Sequence, residues 1–165
     1  MVTRRPLVLA VLVAAAAVVA IVLFQSETKK VKKSFSRLAD WTSKKGEENL
    51  ITLAQKARNL GTLFAGECEF QTSYPPFSGV LTPQDVSGYA MKGRALFPSL
   101  DVTFYDETIT FPQEGVAKAA VTLRVKGVLT NGEPIQEIHE MECTLRKIEE
   151  QWLFNRVETV EVLKK

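Results

Sequence analysis

The sequence is poor in the residues that most often carry chemistry. Its 165 residues include one histidine, His139, and two cysteines, Cys68 and Cys143. A single histidine and two distant cysteines give no ligand spacing for a metal ion, so we expect no metal site and no cofactor. The chain also lacks a phosphate-binding glycine loop, a dinucleotide fingerprint and a Ser-His-Asp arrangement. We therefore assign no catalytic residue.

An excess of charge of one sign is also missing from most of the chain. Lysine and arginine number 21 against 19 acidic residues, which gives a net charge of +2. Much of the small basic excess lies near the start, at Arg4, Arg5 and four lysines between residues 29 and 33. The rest is nearly balanced and predicts no basic face, so we expect no nucleic-acid partner.

One long apolar run is present at the N-terminus. Leu7 to Phe24 are 18 residues without a charge, and a helix of that length spans about 27 Å, close to the apolar thickness of a bilayer. The run predicts a transmembrane helix over 7–24 that contacts the lipid bilayer, after a short tail (1–6) and before a juxtamembrane linker (25–30). A cleaved signal peptide is the alternative. Cleavage after Ala20 would leave an apolar stub, which favours the uncleaved anchor.

The orientation of this helix depends on basic residues at both of its ends. The lysines that follow the helix favour a cytoplasmic domain by simple counting. Arg4 and Arg5, placed directly before the apolar run, are typical of an export signal. We expect a single-pass protein of the cytoplasmic (inner) membrane with its domain outside the cytoplasm, and a cytoplasmic domain remains the alternative.

The remaining residues, 31–165, predict one α+β domain that begins with helices. Apolar residues at helical spacing predict a first helix from Val31 to about Lys44 and a second over Leu50 to Phe64. Thr82 and Asp85 have the spacing of a capping box, which predicts the start of a third helix. Pro98 ends that helix.

Alternating apolar residues then predict a mainly β C-terminal half. A short strand over 67–72 is followed by a proline-containing loop over 74–79, because proline removes a donor from the strand ladder. A change of apolar parity near Asp106 and Glu107 predicts a bulge in the first long strand. The four long strands are expected over 100–111, 116–129, 135–148 and 152–163.

The register of the central hairpin follows from its turn. A two-residue Asn131-Gly132 loop would place Leu123 opposite Glu140 and bury a carboxylate. A three-residue loop, Thr130 to Gly132, instead places Leu123 opposite His139. It also pairs Val121 with Met141 and Ala119 with Cys143. We therefore predict the longer loop and an inward His139.

The order of elements and several short motifs resemble the nuclear transport factor 2-like (SnoaL-like, cystatin-like) superfamily. The motifs are Gly79 to Leu81 before the capped helix, Ala95 to Pro98 before a long strand, Ala119-Ala120-Val121, and the closing Gln151 to Phe154. The resemblance implies about three helices packed on a curved antiparallel sheet, with a conical apolar cavity. It also implies that copies pair through the open sheet face as a homodimer. Known members include isomerases, dehydratases, cyclases and non-catalytic assembly modules, so fold alone does not choose the function.

Five residues are candidates for the mouth of such a cavity: Tyr74, Phe77, Tyr89, His139 and Met141. Ordinary packing is the alternative for all of them. An isolated inward histidine is more often a packed residue than a catalyst. The inward positions of the long strands are mostly Ala, Val, Leu, Met and Cys, which do not supply the buried carboxylate that isomerase chemistry of this fold requires.

The remaining polar and thiol groups have simpler expectations. Cys68 and Cys143 share the parity of their apolar neighbours, which predicts two buried free thiols, with a disulfide as the alternative. Charged side chains of the long strands predict a solvated sheet face with cross-strand ion pairs, formed by Lys118, Arg124, Lys126, Glu137, Glu140 and Glu142.

Three functions are compatible with these features. The first is a membrane-anchored, non-enzymatic interaction or assembly module. This layout is similar to that of the inner-membrane assembly subunit of type IV secretion systems, whose Asn-Pro turn motif this sequence lacks. The second is a binder of an apolar small molecule or lipid, and the third is a cyclase- or isomerase-like enzyme.

Overall fold

Three helices pack on one seven-stranded sheet. The computed structural model describes residues 4–73 and 76–160. The strands lie in the order β1-β4-β5-β6-β7-β2-β3, which gives the expected α+β class. In chain order the elements are α1 (Arg4–Thr42), β1 (Lys44–Lys45), α2 (Leu50–Gly61), β2 (Phe64–Ser73), β3 (Pro76–Leu81), α3 (Pro83–Ala95), β4 (Ser99–Gln113), β5 (Val116–Val128), β6 (Pro134–Ile148) and β7 (Gln151–Val160).

Helix α1 joins the apolar segment to the domain without a break. It is one helix of 39 residues. Residues 25–30, expected to form a linker, are helical because the segment contains neither glycine nor proline. The Lys30 ammonium also lies 2.9 Å from the Glu27 carboxylate one turn earlier, an arrangement that stabilises a helix. The first domain helix and the apolar helix are therefore a single element.

The core lies between α1 and the concave face of the sheet. Val31 and Phe35 of α1 are fully buried at 0% exposure. The Ser34 hydroxyl donates to the Trp152 carbonyl at 3.0 Å, which ties the helix to β7. The residues packed around them come from α2, α3, β2, β5, β6 and β7 and from the residue before β2: Leu60, Leu63, Phe64, Cys68, Val86, Ala117, Ala119, Val121, Cys143, Leu145, Trp152, Phe154 and Val157.

The two shorter helices begin at capped positions. The Asn49 side chain accepts a hydrogen bond from the Thr52 amide at 2.8 Å at the start of α2. That helix ends at Gly61, and Phe64, expected on its last turn, is the first residue of β2. The capping box of Thr82 and Asp85 is present at the start of α3, which confirms the prediction for this helix.

One strand pairing departs from the antiparallel sheet that the resemblance implied. Strand β2 runs parallel to β7, with Phe64 paired to Phe154 and Phe70 paired to Val157. The other pairings are antiparallel. Alternation of apolar residues predicts a strand but carries no information about its direction. The expectation of a wholly antiparallel sheet was therefore wrong at this one junction.

The prediction of a proline-containing loop over 74–79 was only partly correct. Pro76 to Leu81 form β3, which pairs with β2 alone and lies at the edge of the sheet. Proline is tolerated as the first residue of an edge strand, because its missing donor faces away from the ladder. Tyr74 and Pro75 lie outside the described residues.

The central hairpin has the register that its turn predicts. Leu123 pairs with His139, Val121 with Met141 and Ala119 with Cys143. The Leu129 amide donates to the Glu133 carbonyl at 2.8 Å, which closes a three-residue loop. Gly132 in this loop has a φ of 88°. The three-residue loop is confirmed.

The predicted irregularity in β4 is also present. Asp106 has a φ of 54°, and the pairing of β4 with β5 shifts between Tyr105 and Thr108. Strand β7 is described to Val160, so its expected extension to residue 163 lies outside the described residues. The short strand β1, which pairs with the start of β4, was not predicted because two lysines carry no strand signal.

Candidate functional site

Aromatic rings fill the interior of the concave face next to α1. The Phe35 ring lies edge-on at 5.2 Å from Phe104 and 5.0 Å from Phe154, measured between ring centroids. Phe64 lies 5.4 Å from Phe154 on the other side. Phe35 and Phe154 are both 0% exposed. These contacts occupy the part of the cone where the resemblance implied an apolar cavity.

The five candidate cavity residues are distributed over three elements. Tyr74 lies outside the described residues. Phe77 on β3 and Tyr89 on α3 are exposed, at 40% and 58%. His139 and Met141 lie on the same face of β6 and are half-buried. In the described part of the chain, the five principal cavities are lined by none of these four residues.

His139 makes a pair with a carboxylate on its own strand. Its Nε2 atom lies 2.9 Å from Glu137 Oε2. Glu137 pairs with Val125 across the hairpin, so its side chain shares the concave face with His139. The expectation that Glu137 belongs to the solvated outer face was therefore wrong, because Glu137 has the same strand parity as His139. A histidine-carboxylate pair can move a proton, but its opposite neighbours, Leu123 and Val125, supply no nucleophile.

Both cysteines are free thiols. Burial raises the pKa of Cys68 to about 12, with a smaller contribution from the nearby Glu69 carboxylate. Burial likewise raises the pKa of Cys143 to about 12. Because thiolate is the reactive form, these thiols are poor nucleophiles at neutral pH. The prediction of two buried free thiols is confirmed.

A buried arginine joins the distal ends of the three helices. Arg94 of α3 is 2% exposed. Its Nε atom donates to the Thr42 carbonyl at 2.7 Å, and its Nη2 atom donates to the Ser43 carbonyl at 3.0 Å and to Glu48 Oε2 at 2.7 Å. Lys56 of α2 donates to Glu48 Oε1 at 2.6 Å. The arginine thereby satisfies carbonyls at the end of α1 that have no partner within the helix.

This ion cluster was not found by sequence reasoning. Burial opposes ionisation of Glu48, but hydrogen bonds from Lys56 and Arg94 outweigh that effect and hold the pKa of the carboxyl below its ordinary value. The cluster borders a cleft of about 600 Å³ between α1 and β4. Asp40, Asp101 and Glu107 also line this cleft, so its chemistry suits a polar ligand.

The outer face of the sheet, meaning the convex side of β4 to β7, carries both apolar and charged groups. Ile138 is 56% exposed near its centre, and Thr122 beside it is only 6% exposed. The Arg124 guanidinium lies 3.6 Å from Asp101, while its Nε atom is buried without a hydrogen-bond partner among the described residues. At one side of this face, Arg156 lies 2.9 Å from Glu69. The predicted cross-strand ion pairs are present here in part.

The end of the domain opposite the Arg94 cluster surrounds the last turns of the apolar segment. The Phe24 ring lies edge-on at 5.2 Å from Phe111, and Phe111 lies 5.5 Å from Trp152. The Trp152 indole donates to Glu27 at 2.7 Å. A hydrogen bond from Lys30, followed by contacts with Trp152 and Lys147, lowers the pKa of Glu27 despite partial burial. The apolar segment is therefore packed against the domain at its C-terminal end.

These contacts border a cleft of about 860 Å³, which we call the base cleft. Its floor is formed by Ala20, Leu23, Phe24, Phe111 and Trp152, and its rim by the β4–β5 and β6–β7 turns. Over the described residues, α1 is the one helix long and apolar enough to cross a membrane, and its apolar stretch is not buried in the molecule. A signal sequence has the same length and composition.

No group of three or more His, Cys, Asp or Glu side chains is arranged to hold a metal ion within residues 4–73 and 76–160. The ionisable groups of the described interior are the two thiols, the half-buried His139 pair and the cluster of Arg94, Glu48 and Lys56.

Comparisons with known proteins show the fold. No protein-family model and no curated protein sequence matches the chain. An NTF2-like protein with a cystatin-like fold from Novosphingobium aromaticivorans superposes with a TM-score of 0.68 at 12% identity, over 90% of both chains. The Kfla4162 protein of Kribbella flavida gives 0.68 at 10% identity, over 82% of this chain and 90% of that one. A hexachlorocyclohexane dehydrochlorinase (LinA) gives 0.66 at 9% identity, over 82% and 85%.

The chain therefore has the nuclear transport factor 2-like, cystatin-like fold, which confirms the resemblance at the level of fold. Proteins that share this fold include an enzyme, the dehydrochlorinase, and a protein described only by its fold. The similarity at these identities extends to architecture alone.

Proposed function

We propose that the protein is a membrane-anchored, non-enzymatic interaction module. The observation that carries this proposal is the filled interior, in which Phe35 and Phe154 are fully buried. An enzyme of this fold needs an open cavity with ionisable groups on its wall. The inward side of β5 instead presents Ala117, Ala119 and Val121, all nearly fully buried. The packed rings fill the concave face around Phe154, so the proposed working surface lies on the outside of the domain, and the open cleft between α1 and β4 is the basis of the second candidate function.

The anchor in this proposal is the helix over Leu7 to Phe24, with the lipid bilayer as its partner. The protein is then a single-pass protein of the cytoplasmic (inner) membrane with its domain on the outside. The continuity of α1 supports an anchor that is retained. Cleavage after Ala20 would remove the helix but leave Phe24, whose ring is already packed on Phe111.

The outer face of the sheet is the proposed contact surface, and a second copy of the chain is the proposed partner. Ile138 supplies an exposed apolar centre. Arg124 and Glu140 supply charges of both signs around it, which a two-fold related copy can match.

The oligomeric state of the full chain in detergent tests this surface. We expect the wild type to be a dimer by native mass spectrometry and Ile138→Glu to be a monomer, because a carboxylate in the centre of an apolar contact is costly to desolvate. Ile51→Glu is the matched control, since Ile51 is 72% exposed on α2 and lies away from the sheet. A monomeric wild type, or equal dissociation by both variants, would show that the outer face is not the contact.

Binding of a small ligand is the second candidate, favoured by the cleft between α1 and β4. Its volume of about 600 Å³ is in the range of ligand sites. Ala39→Trp would fill this cleft from α1, whereas Lys92→Trp on α3 lies outside it. A molecule that co-purifies with the wild type and the second variant, and is lost from the first, would identify a ligand. Loss from both variants would point elsewhere.

A further inference from the structure

The base cleft has an apolar floor and an acidic rim, and this combination defines a ligand class. We propose that the cleft binds a phospholipid of the surrounding leaflet whose headgroup carries an ammonium group. The acyl chains lie along α1, and the ammonium lies between the β4–β5 and β6–β7 turns. This inference rests on the proposed membrane anchor and specifies which lipid the protein contacts.

The position of the cleft along α1 supports this assignment. Its floor includes Ala20, Leu23 and Phe24, which are the last residues of the apolar segment. Leu23 and Phe24 remain 61% and 53% exposed. From Phe24 to Glu27 the helix rises about 4.5 Å, which lies within the roughly 5–7 Å depth of one headgroup layer. A helix embedded up to Phe24 therefore places both turns at the level of the headgroups.

The charges on the rim select the headgroup. Four carboxylates and one ammonium line the cleft, from Glu27, Glu114, Glu149, Glu150 and Lys147. Lys147 lies 3.4 Å from Glu27 and 3.1 Å from Glu150. The carboxylates of Glu114 and Glu149 have no hydrogen-bond or ion-pair partner among the described residues. Both side chains are exposed, so an ammonium headgroup can reach them and pair with them, whereas an anionic headgroup is repelled.

The same charges argue against a second copy of the chain in this cleft. A two-fold related copy would bring a second set of four carboxylates against the first, and like charges placed together are unfavourable. The aromatic part of the floor is also fixed in place, because the Trp152 indole N–H already donates to Glu27. The floor therefore offers an apolar surface suited to a hydrocarbon chain.

Lipid composition around the full chain tests the proposal. The protein is reconstituted in nanodiscs with equal parts phosphatidylethanolamine and phosphatidylglycerol, extracted in mild detergent, and the retained lipids are measured by mass spectrometry. We expect phosphatidylethanolamine to be enriched about threefold over the bulk ratio, an effect of the size that an exposed ion pair gives. Glu114→Gln with Glu149→Gln should return the ratio to that of the bulk.

Glu47→Gln with Glu133→Gln is the matched control, because it removes two exposed carboxylates at the opposite end of the domain. A bulk-like ratio for the wild type, or equal enrichment in the rim variant, would overturn the lipid assignment. Crosslinking of two chains through the base cleft would overturn it in favour of a second copy. Retention in membranes after alkaline washing is scored separately. A protein released by the wash contradicts the anchor itself, and a retained protein without enrichment contradicts only the lipid.

Discussion

At the scale of single residues, Arg94 is the side chain whose position depends most on its hydrogen bonds. The guanidinium is buried, yet three acceptors from two other segments satisfy it. Removal of one partner from a buried ion cluster costs more than the cluster contributes in total, because the remaining charge keeps its desolvation cost. The joint between the helix ends is therefore sensitive to this one residue.

We expect Arg94→Met to lower the free energy of unfolding of the full chain by about 3–5 kcal/mol, because the Thr42 carbonyl loses its side-chain donor and Glu48 and the Ser43 carbonyl keep only Lys56. Urea unfolding in detergent, followed by circular dichroism, measures the loss. Lys92→Met, two residues away on the exposed side of α3, should change stability little. Equal effects of the two substitutions would mean that helix propensity, and not the cluster, is responsible.

The pH dependence of stability should report on Glu48. Its folded-state pKa is lowered from 4.5, so its contribution to stability is fully present above that unfolded-state value. It is lost as pH falls through the lower folded-state pKa. We expect Glu48→Gln to be less stable than the wild type near neutral pH and to lose less stability on acidification. Parallel pH profiles for Glu47→Gln and the wild type provide the control.

The two cysteines should resist thiol reagents in the folded protein. With pKa values of about 12, Cys68 and Cys143 are protonated at pH 8 and buried. We expect negligible carbamidomethylation by iodoacetamide under native conditions, and two labels per chain after unfolding in urea without reductant. A requirement for reductant would reveal a disulfide, and rapid native labelling of either cysteine would contradict its burial.

Sequence reasoning placed residues correctly where the local strand register determines their orientation. It failed for residues whose burial depends on contacts with a distant segment. His139 was predicted inward because the alternative register buried a carboxylate. Arg94 follows Lys92 on a helix and carries no pattern that separates it from a solvated residue. Its burial depends on the path of residues 42–48, which place their carbonyls within its reach, and no local spacing encodes that path.

At the scale of elements, the β6–β7 turn contains unusual backbone geometry. Glu149 and Glu150 have φ values of 48° and 65°, although left-handed backbone is unfavourable for residues with a Cβ atom. Ile148 pairs with Gln151, so the two glutamates form a two-residue hairpin loop of the type that favours Asn-Gly. The sequence therefore uses non-optimal residues at the rim of the base cleft.

Glu150→Gly should raise the free energy of unfolding by about 1 kcal/mol, because glycine removes the left-handed strain at that position. Chemical denaturation of the full chain measures the gain. Glu133→Gly, in the β5–β6 hairpin, has no positive φ to relieve and should give no gain. Destabilisation by Glu150→Gly would indicate that the ion pair with Lys147 outweighs the strain.

Strand existence was easier to predict than strand partners. The alternating residues of β5 and β6, with a glycine-containing turn, fixed both the strands and their pairing. The pairing of β2 with β7 joins residues about 90 positions apart in sequence, and only the curvature of the sheet brings them together. The edge strand β3 was read as loop because the rule on proline applies to interior strands and not to Pro76 at an edge.

At the scale of the whole molecule, the continuity of α1 determines how the domain is held relative to the proposed membrane anchor. We expect Ser26→Pro to break the helix between Phe24 and the domain, because proline removes a backbone hydrogen bond and clashes with the preceding turn. Limited trypsin digestion of the membrane-embedded protein should then cut at Lys29 and Lys30, which Ser26→Ala should leave protected. Cleavage at equal rates in both variants would show that the segment is already mobile.

The order of elements was enough to predict the fold, since helices followed by long strands admit few arrangements. The working surface was not predictable in the same way. Exposed groups such as Ile138 and the acidic rim of the base cleft become neighbours only after the sheet curves, and a linear pattern cannot show which of them share a surface.

A continuous helix without a hinge also fixes the direction in which the domain faces. Each residue added to a helix turns everything beyond it by about 100° and lifts it by 1.5 Å. One alanine inserted before Ala20 would therefore rotate the outer face of the sheet by about 100° around the helix axis relative to the apolar segment. An insertion of seven residues would restore the original orientation to within about 20°. In the proposed membrane-anchored state, proteins that contact the apolar segment of α1 would therefore set the direction in which Ile138 faces.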